Sequence, residues 1–284
     1  MAKEAEAVGC GVKYSDYVVP SIATHVLQED KGKLAKLEIP DPRKAGRLPG
    51  FLEMCEGLVA AKLPTAVGAV VVGPWTIAML MRNPEVMLLD TFEDPGFIHE
   101  LMRFTTEYCK VFGDAVLATK IGLSFSEPTA SISLVSPDNY REFIKPYHRE
   151  LVEDFKGKKV GATVHLCGPT YPIYEDLIEA GFTTLSIDLD QQADPTLKVD
   201  QLRRLKEVAR RRVVAIGNVD ATMFERATRA EIEAEVRRCV DTAAADSAFI
   251  LSTSCEIPPR SKPEIVQWFM EAAREYGRYE RLPG

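Results

Sequence analysis

The chain has 284 residues and 46% hydrophobic composition, enough to bury a large core, either as one α/β domain or as two smaller ones. Its formal net charge of −7 leaves no basic surplus to neutralise phosphates, which excludes nucleic acid as the main partner. The longest apolar run, Leu63 to Met81, is broken by Pro64, Gly68, Gly73 and Pro74, so it reads as a core strand and turn and not as a membrane span. The polar, acidic start Met1 to Glu6 shows no signal peptide. Six cysteines without dense spacing point to free thiols or metal ligands in a reducing cytoplasm, not to a disulfide framework.

Residues 1–47 read as a loop-rich segment. Glu4 to Val8 suits a helix end and Val12 to Tyr14 a short strand; Pro20, Pro40 and Pro42 then punctuate a charged stretch containing His25, read as a packing histidine. From residue 48 onward a strand–helix rhythm sets in. Phe51, Met54, Cys55, Leu58 and Val59 fall at helical spacing, and Ala66 to Val72 is an apolar strand ended by Gly73-Pro74-Trp75-Thr76. Helical stretches are expected around Ile77 to Leu89 and Phe97 to Ala118, then a strand over Ile121 to Phe125 ended by Ser126-Glu127-Pro128-Thr129. Ser136-Pro137 starts a helix that runs to about Phe155. The remaining strands are expected at 161–167, Thr183 to Ile187, Val213 to Ile216 and Ala248 to Leu251. The helices between and after them fall around Tyr174 to Ala180, Val199 to Arg211, Arg229 to Ala243 and Pro263 to Tyr276.

Six strand–helix units with short, fully apolar strands argue for a parallel sheet covered by helices. No glycine-rich dinucleotide loop follows the first strand, as a wound open sheet would usually carry. Polar and ligand-type residues recur instead at the strand ends: Thr76, Glu127, His165 with Cys167, Asp188, Asn218 and Cys255. That is where (β/α)8 barrels of the TIM type gather their active sites.

The stretch Gly161 to Pro169 is the most informative. A strand sends alternate side chains to opposite faces, so Val164 and Leu166 turn one way and His165 and Cys167 the other, just before a Gly-Pro turn. An imidazole and a thiol converging at a strand end form a nitrogen–sulfur half-site suited to zinc. The pair needs a third ligand, and Cys255, at the end of another strand, is the best candidate. Cys10, Cys55, Cys109 and Cys239 read as small buried residues. His99 and His148 read as helical residues facing away from the strand ends, and Arg210 to Arg212 as a helix-end basic run.

Gly73-Pro74-Trp75-Thr76, Glu127-Pro128-Thr129-Ala130-Ser131, Ser136-Pro137, His165-Leu166-Cys167-Gly168, Gly217-Asn218-Val219-Asp220 and Cys255 with Pro258 occur in this order. Together they resemble the uroporphyrinogen decarboxylase superfamily and, through the His-x-Cys pair and distant Cys, its zinc-dependent corrinoid methyltransferase branch. The resemblance runs from about residue 5 to the C-terminus. It implies a single (β/α)8 TIM-barrel-type domain over 1–284, with zinc at the barrel mouth and the first two strand–helix units lacking from this chain. Three readings follow: the start lies further upstream, the fold is an open remnant, or a second copy or partner chain completes the barrel, which is favoured because an open barrel exposes strand edges.

The resemblance further implies Asp188 as an exchangeable fourth metal ligand, with Asp190 as its competitor, and Glu127 as a pocket acid. Asn218 is read as a substrate or corrinoid contact or as a turn residue. Thr76, Trp75 and Asp220 are candidates for the corrinoid side. The implied reaction moves a methyl group between a small methyl donor or thiol acceptor and the cobalt of a corrinoid, as in methylcobalamin, carried by a separate corrinoid protein. No Asp-x-His-x-x-Gly corrinoid motif is visible in this chain. Two other classes stand beside this one: a metal-free tetrapyrrole decarboxylase, and a non-catalytic paralogue that keeps the zinc site as a scaffold.

Overall fold

A computed structural model describes residues 1–15, 18–190 and 198–278. The chain divides into two compact units, one formed by Met1–Ala130 with Leu134–Ala162 and the other by Ser131–Ser133 with Thr163–Gly284.

The first unit opens with a short helix, Ala2–Ala7, and an antiparallel ribbon of β1 (Gly11–Lys13) and β2 (Ser21–Thr24). Its main strands, β3 (Gly68–Val72) and β4 (Gly122–Ser126), run parallel, with Val70 opposite Ser124. A parallel pair needs a long crossover, and helices supply it here. Apolar spacing predicts one helix over Ile77 to Leu89. The structure instead has two, Pro74–Arg82 and Pro84–Glu93. The break follows from Asn83, which takes φ 82° and caps the second helix by accepting from Glu85 N, and from Pro84, which has no N–H to continue the first. The helix Pro95–Ala118 buries Leu101, Met102, Cys109, Phe112 and Val116 along one face. The helix Lys145–Gly157 is preceded by a wider, π-type turn over Tyr140–Ile144. Phe155 of that helix packs against Phe125 of β4 with ring centroids 5.2 Å apart.

The second unit holds β5 (Thr163–Leu166), β6 (Thr184–Ile187), β7 (Val214–Val219) and β8 (Phe249–Thr253). Consecutive strands pair in parallel, with His165 opposite Ser186, Leu185 opposite Ala215 and Val219 opposite Thr253. β5 and β6 each alternate half-buried and buried residues: Val164, Leu166, Leu185 and Ile187 face the core, and Thr163, His165, Thr184 and Ser186 share the other face. The helices Gln201–Ala209, Arg229–Ala243 and Pro263–Tyr276 cover the core side with Leu202, Leu205, Ile232, Val236 and Ile265. Fully burying one such side chain stabilises by about 1.5–3 kcal/mol. Thr228 and Glu231 form a capping box on the second of these helices.

The result is an α/β fold of parallel strands alternating with helices. Gly217-Asn218-Val219, expected as a turn after a strand ending at Ile216, lies inside β7, because the strand runs on to Val219. Among the described residues no helix is long and apolar enough to cross a membrane.

Candidate metal centre

In the second unit, Cys167, the residue after β5, lies beside His165, and the segment just after β8 brings Cys255 to them. The ligand atoms of these three half-buried residues lie within 4.8 Å of one another. Cys167 Sγ stands 3.8 Å from Cys255 Sγ, and His165 Nε2 lies 3.4 Å from Cys167 Sγ and 3.7 Å from Cys255 Sγ. Tetrahedral zinc, with Zn–S of about 2.3 Å and Zn–N of about 2.05 Å, separates two sulfurs by about 3.8 Å and a sulfur from a nitrogen by about 3.6 Å. The three atoms therefore have the spacing of one face of a zinc tetrahedron, and the donor set fits the metal.

The surroundings aim the ligands. His165 Nδ1 lies 3.0 Å from Ser186 Oγ, directly across the β5–β6 register. A hydrogen bond at Nδ1 leaves Nε2 for the two sulfurs and holds the ring in place. Gly168, after Cys167, takes φ +65°, and a Cβ there would stand 2.8 Å from Ser131 Oγ, so the sharp exit from β5 requires glycine. At β8, Thr253 Oγ1 donates to Cys255 O at 2.7 Å and Ser254 N donates to Val219 O at 2.7 Å, which fixes the cysteine's backbone.

The two thiols share their protons unequally. The Cys167 hydrogen bond and then that of His165 pull Cys255 well below an ordinary thiol's pKa. Cys167 is pushed well above it, first by its hydrogen bond to Cys255, then by burial, with the negative charges of Cys255 and Asp188 adding to both.

The other residues singled out from the sequence fall into three settings. Asp188, at the end of β6, stands outside the group of three. Its carboxylate accepts from Gly168 N at 2.9 Å and from Leu189 N at 2.7 Å, so it braces the turn after Cys167. Asp190 accepts from Val199 N at 3.0 Å. Asn218, 1% exposed, donates through Nδ2 to Asp188 O at 3.3 Å and accepts at Oδ1 from Arg238 Nη2 at 3.1 Å. Asp220 caps the 3-10 turn Ala221–Glu225 by accepting from Thr222 N and Oγ1, each at 2.8 Å.

Glu127, Thr76 and Trp75 belong to the first unit and are buried there. The Glu127 carboxylate accepts from Trp75 N at 3.0 Å, Thr76 N at 2.9 Å and Thr76 Oγ1 at 2.7 Å, an anion at the N-terminus of the helix Pro74–Arg82. Gly73 makes room for it, since a Cβ there would meet Glu127 Oε1 at 2.3 Å. His148, read from the sequence as facing away from strand ends, instead lies 3.1 Å from Glu127 Oε1 through Nε2 and 3.0 Å from Tyr140 OH through Nδ1. The signal was there: His148, Leu151, Val152 and Phe155 fall on one helical face, and all are buried. Ser186, which meets the His165 ring, and Gln201, which holds the Gly168 carbonyl, carried no sequence signal of their own.

Residues 1–276 match the family described as uroporphyrinogen decarboxylase (URO-D). A methylcobamide:CoM methyltransferase of Methanosarcina acetivorans is 23% identical over 278 residues, covering 96% of this chain and 77% of that protein. A methylated-thiol–coenzyme M methyltransferase of Methanosarcina mazei is 23% identical over 279 residues, covering 96% and 70%. A solved methyltransferase from Methanosarcina mazei superposes with a TM-score of 0.85 at 22% identity, covering 98% of this chain and 79% of that one, and so shares the fold.

Proposed function

The chain belongs to the uroporphyrinogen decarboxylase family, and from that premise we propose that it is a zinc-dependent methyltransferase working with a separate corrinoid protein. It moves a methyl group between the corrinoid cobalt and a small substrate, either a thiol acceptor or a methylated or methoxylated donor. The observation that carries this reading is the spacing of His165 Nε2, Cys167 Sγ and Cys255 Sγ, the edge lengths of a zinc tetrahedron's face. Relatives named for methyl transfer from a methylcobamide or a methylated thiol to coenzyme M support the reaction class.

Zinc held there would supply the positive charge that keeps a substrate thiol deprotonated at neutral pH or, in the opposite direction, draws electron density from a methoxy oxygen. The chain's own residues set the terms for that chemistry. Cys167 and Cys255 as thiolates with neutral His165 offset the metal's two charges. Ser186 fixes the imidazole, so the ring presents Nε2 and not Nδ1. Three protein ligands leave a fourth position, the pattern of catalytic and not structural zinc. Asp188, next to the Cys167 turn, is the acidic group that would hold this position until substrate arrives. Asn218 Nδ2 donates to the Asp188 backbone carbonyl, and Arg238 in turn donates to Asn218 Oδ1.

Metal content tests this first. The purified protein is expected to carry about one zinc per chain, and a Cys167→Ala, Cys255→Ala double variant none. Wild-type protein should also consume free methylcobalamin in the presence of a suitable thiol, or methylate cob(I)alamin from a methylated donor, and the double variant should do neither. Protein prepared without chelators that contains no zinc would overturn the reading. Protein that holds zinc but transfers no methyl group across the panel would make the site a scaffold.

A further inference from the structure

One buried side chain holds the backbone on both sides of the Cys167 turn. We propose that Gln201 is a positioning residue that sets the Cys167 turn in its metal-binding shape before metal arrives. The inference rests on the reading of His165, Cys167 and Cys255 as metal ligands.

Gln201 is the first residue of the helix Gln201–Ala209 and is 1% exposed. Its amide has every polar atom engaged. Nε2 donates to Gly168 O at 3.0 Å and to Asp188 O at 2.9 Å. Oε1 accepts from Thr170 N at 2.7 Å and from Tyr174 OH at 3.2 Å, with Thr170 Oγ1 at 3.4 Å. An amide carries two N–H donors and an oxygen with two lone pairs, so this site uses the full capacity of glutamine. A carboxylate would face two carbonyl oxygens. An apolar side chain would strand the Thr170 N–H and leave the Gly168 and Asp188 carbonyls without this donor.

The partners are specific to the ligand turn. Gly168 and Thr170 follow Cys167, and Asp188 ends the neighbouring strand. Gly168 is held on both sides, at its N–H by Asp188 Oδ2 and at its carbonyl by Gln201. A turn tied at both ends fixes the backbone of the residue before it, and so the reach of Cys167 Sγ toward Cys255 and His165. A ligand set held near its bound geometry spends less of its binding energy on ordering the chain.

The test titrates full-length, metal-free protein with Co2+, whose ligand-field and sulfur-to-cobalt absorption reports tetrahedral thiolate coordination. Gln201→Met keeps the side chain's length and removes its hydrogen bonds. It is expected to bind Co2+ some 10–100-fold more weakly, the usual loss for an outer-shell partner, with an altered absorption envelope. Leu205→Val loosens the core side of the same helix without touching the turn, and should bind Co2+ as wild type does. Equal Co2+ affinity and spectra in Gln201→Met and wild type would overturn the proposal while leaving the metal reading intact. Wild-type protein that takes up no Co2+ would overturn both.

Hydrogen exchange on metal-free wild type decides the matter if the variant does not fold. The Thr170 amide, held by Gln201 Oε1, should already be protected without metal. Free exchange of that amide until metal is added would show that the metal orders the turn, and would overturn the proposal.

Discussion

Both units place a polar cluster at a strand end, but the two clusters fill their valences differently. In the first unit, the Glu127 carboxylate receives two backbone amides and a threonine hydroxyl and meets His148, which in turn meets Tyr140. All these side chains are buried, and the chain itself satisfies the charge. In the second unit, two sulfurs and an imidazole nitrogen face one another at 3.4–3.8 Å, half-buried, at the spacing of a coordination polyhedron. A polar group saturated by its own chain is framework, because burial without partners is costly. Polar atoms that converge on one point and differ in type are arranged for something that is not part of the chain. On the function proposed above, the His165 cluster is the chemical site, whereas the Glu127 carboxylate sits on the first amides of a helix.

The largest expected effect comes from metal removal. Cys10, Cys55, Cys109 and Cys239 are buried free thiols, whereas Cys167 and Cys255 are half-buried. Alkylation under native conditions should therefore spare every cysteine in metal-loaded protein and, after chelation, label Cys255 first and then Cys167. Peptide mass spectrometry reads the order. Equal labelling of Cys239 and Cys255 after chelation would mean that chelation unfolds the unit and does not merely empty a site.

The converse experiment breaks the comparison from the other side. Glu127→Ala leaves the Trp75 and Thr76 amides and His148 without their acceptor. Removing one partner of a buried charged network costs about 3–5 kcal/mol, read as a shift in the denaturant midpoint. Zinc content per folded chain should not change. If Glu127→Ala folds normally but loses zinc, the framework assignment fails and the acid belongs with the metal chemistry. A third change separates ligand from orienter: Ser186→Ala should weaken zinc binding about tenfold, close to 1.4 kcal/mol, with global stability nearly unchanged. No effect on zinc affinity would mean that packing alone fixes the His165 ring.

How much of this was legible in the sequence depended on how local each signal was. Strand alternation is a two-residue rule, and it placed His165 and Cys167 correctly on one face. Cys255 was found by its position at a strand end. The helices Arg229–Ala243 and Pro263–Tyr276 were readable for the same reason. Ser186 was not, because its role exists only in the register between β5 and β6. Gln201 was not, because its partners come from the ends of two strands 13 to 33 residues away. Asn218 carried conflicting signals: its Gly-Asn sequence suggested a turn, but strand pairing with β8 carries it into β7. The break at Asn83 shows the same competition, with apolar periodicity running on past a residue whose backbone had already left the helix.

The smallest effect is the finest test of the framework. Tyr140 sits in the π-type turn before the helix that carries His148, and its hydroxyl lies 3.0 Å from His148 Nδ1. The two ring nitrogens face different partners, Nε2 toward Glu127 Oε1 at 3.1 Å and Nδ1 toward the Tyr140 hydroxyl. Tyr140→Phe removes that one donor and keeps the ring packed. It should cost about 1 kcal/mol, with zinc content and methyl transfer unchanged. The histidine's tautomer gives an independent reading, because 15N shifts of His148 distinguish Nε2–H from Nδ1–H. A switch of tautomer without loss of stability would mean that Glu127 holds His148 by shape alone. Loss of stability with the tautomer kept is the expected result, since Glu127 Oε1 still faces Nε2 when the tyrosine hydroxyl is gone.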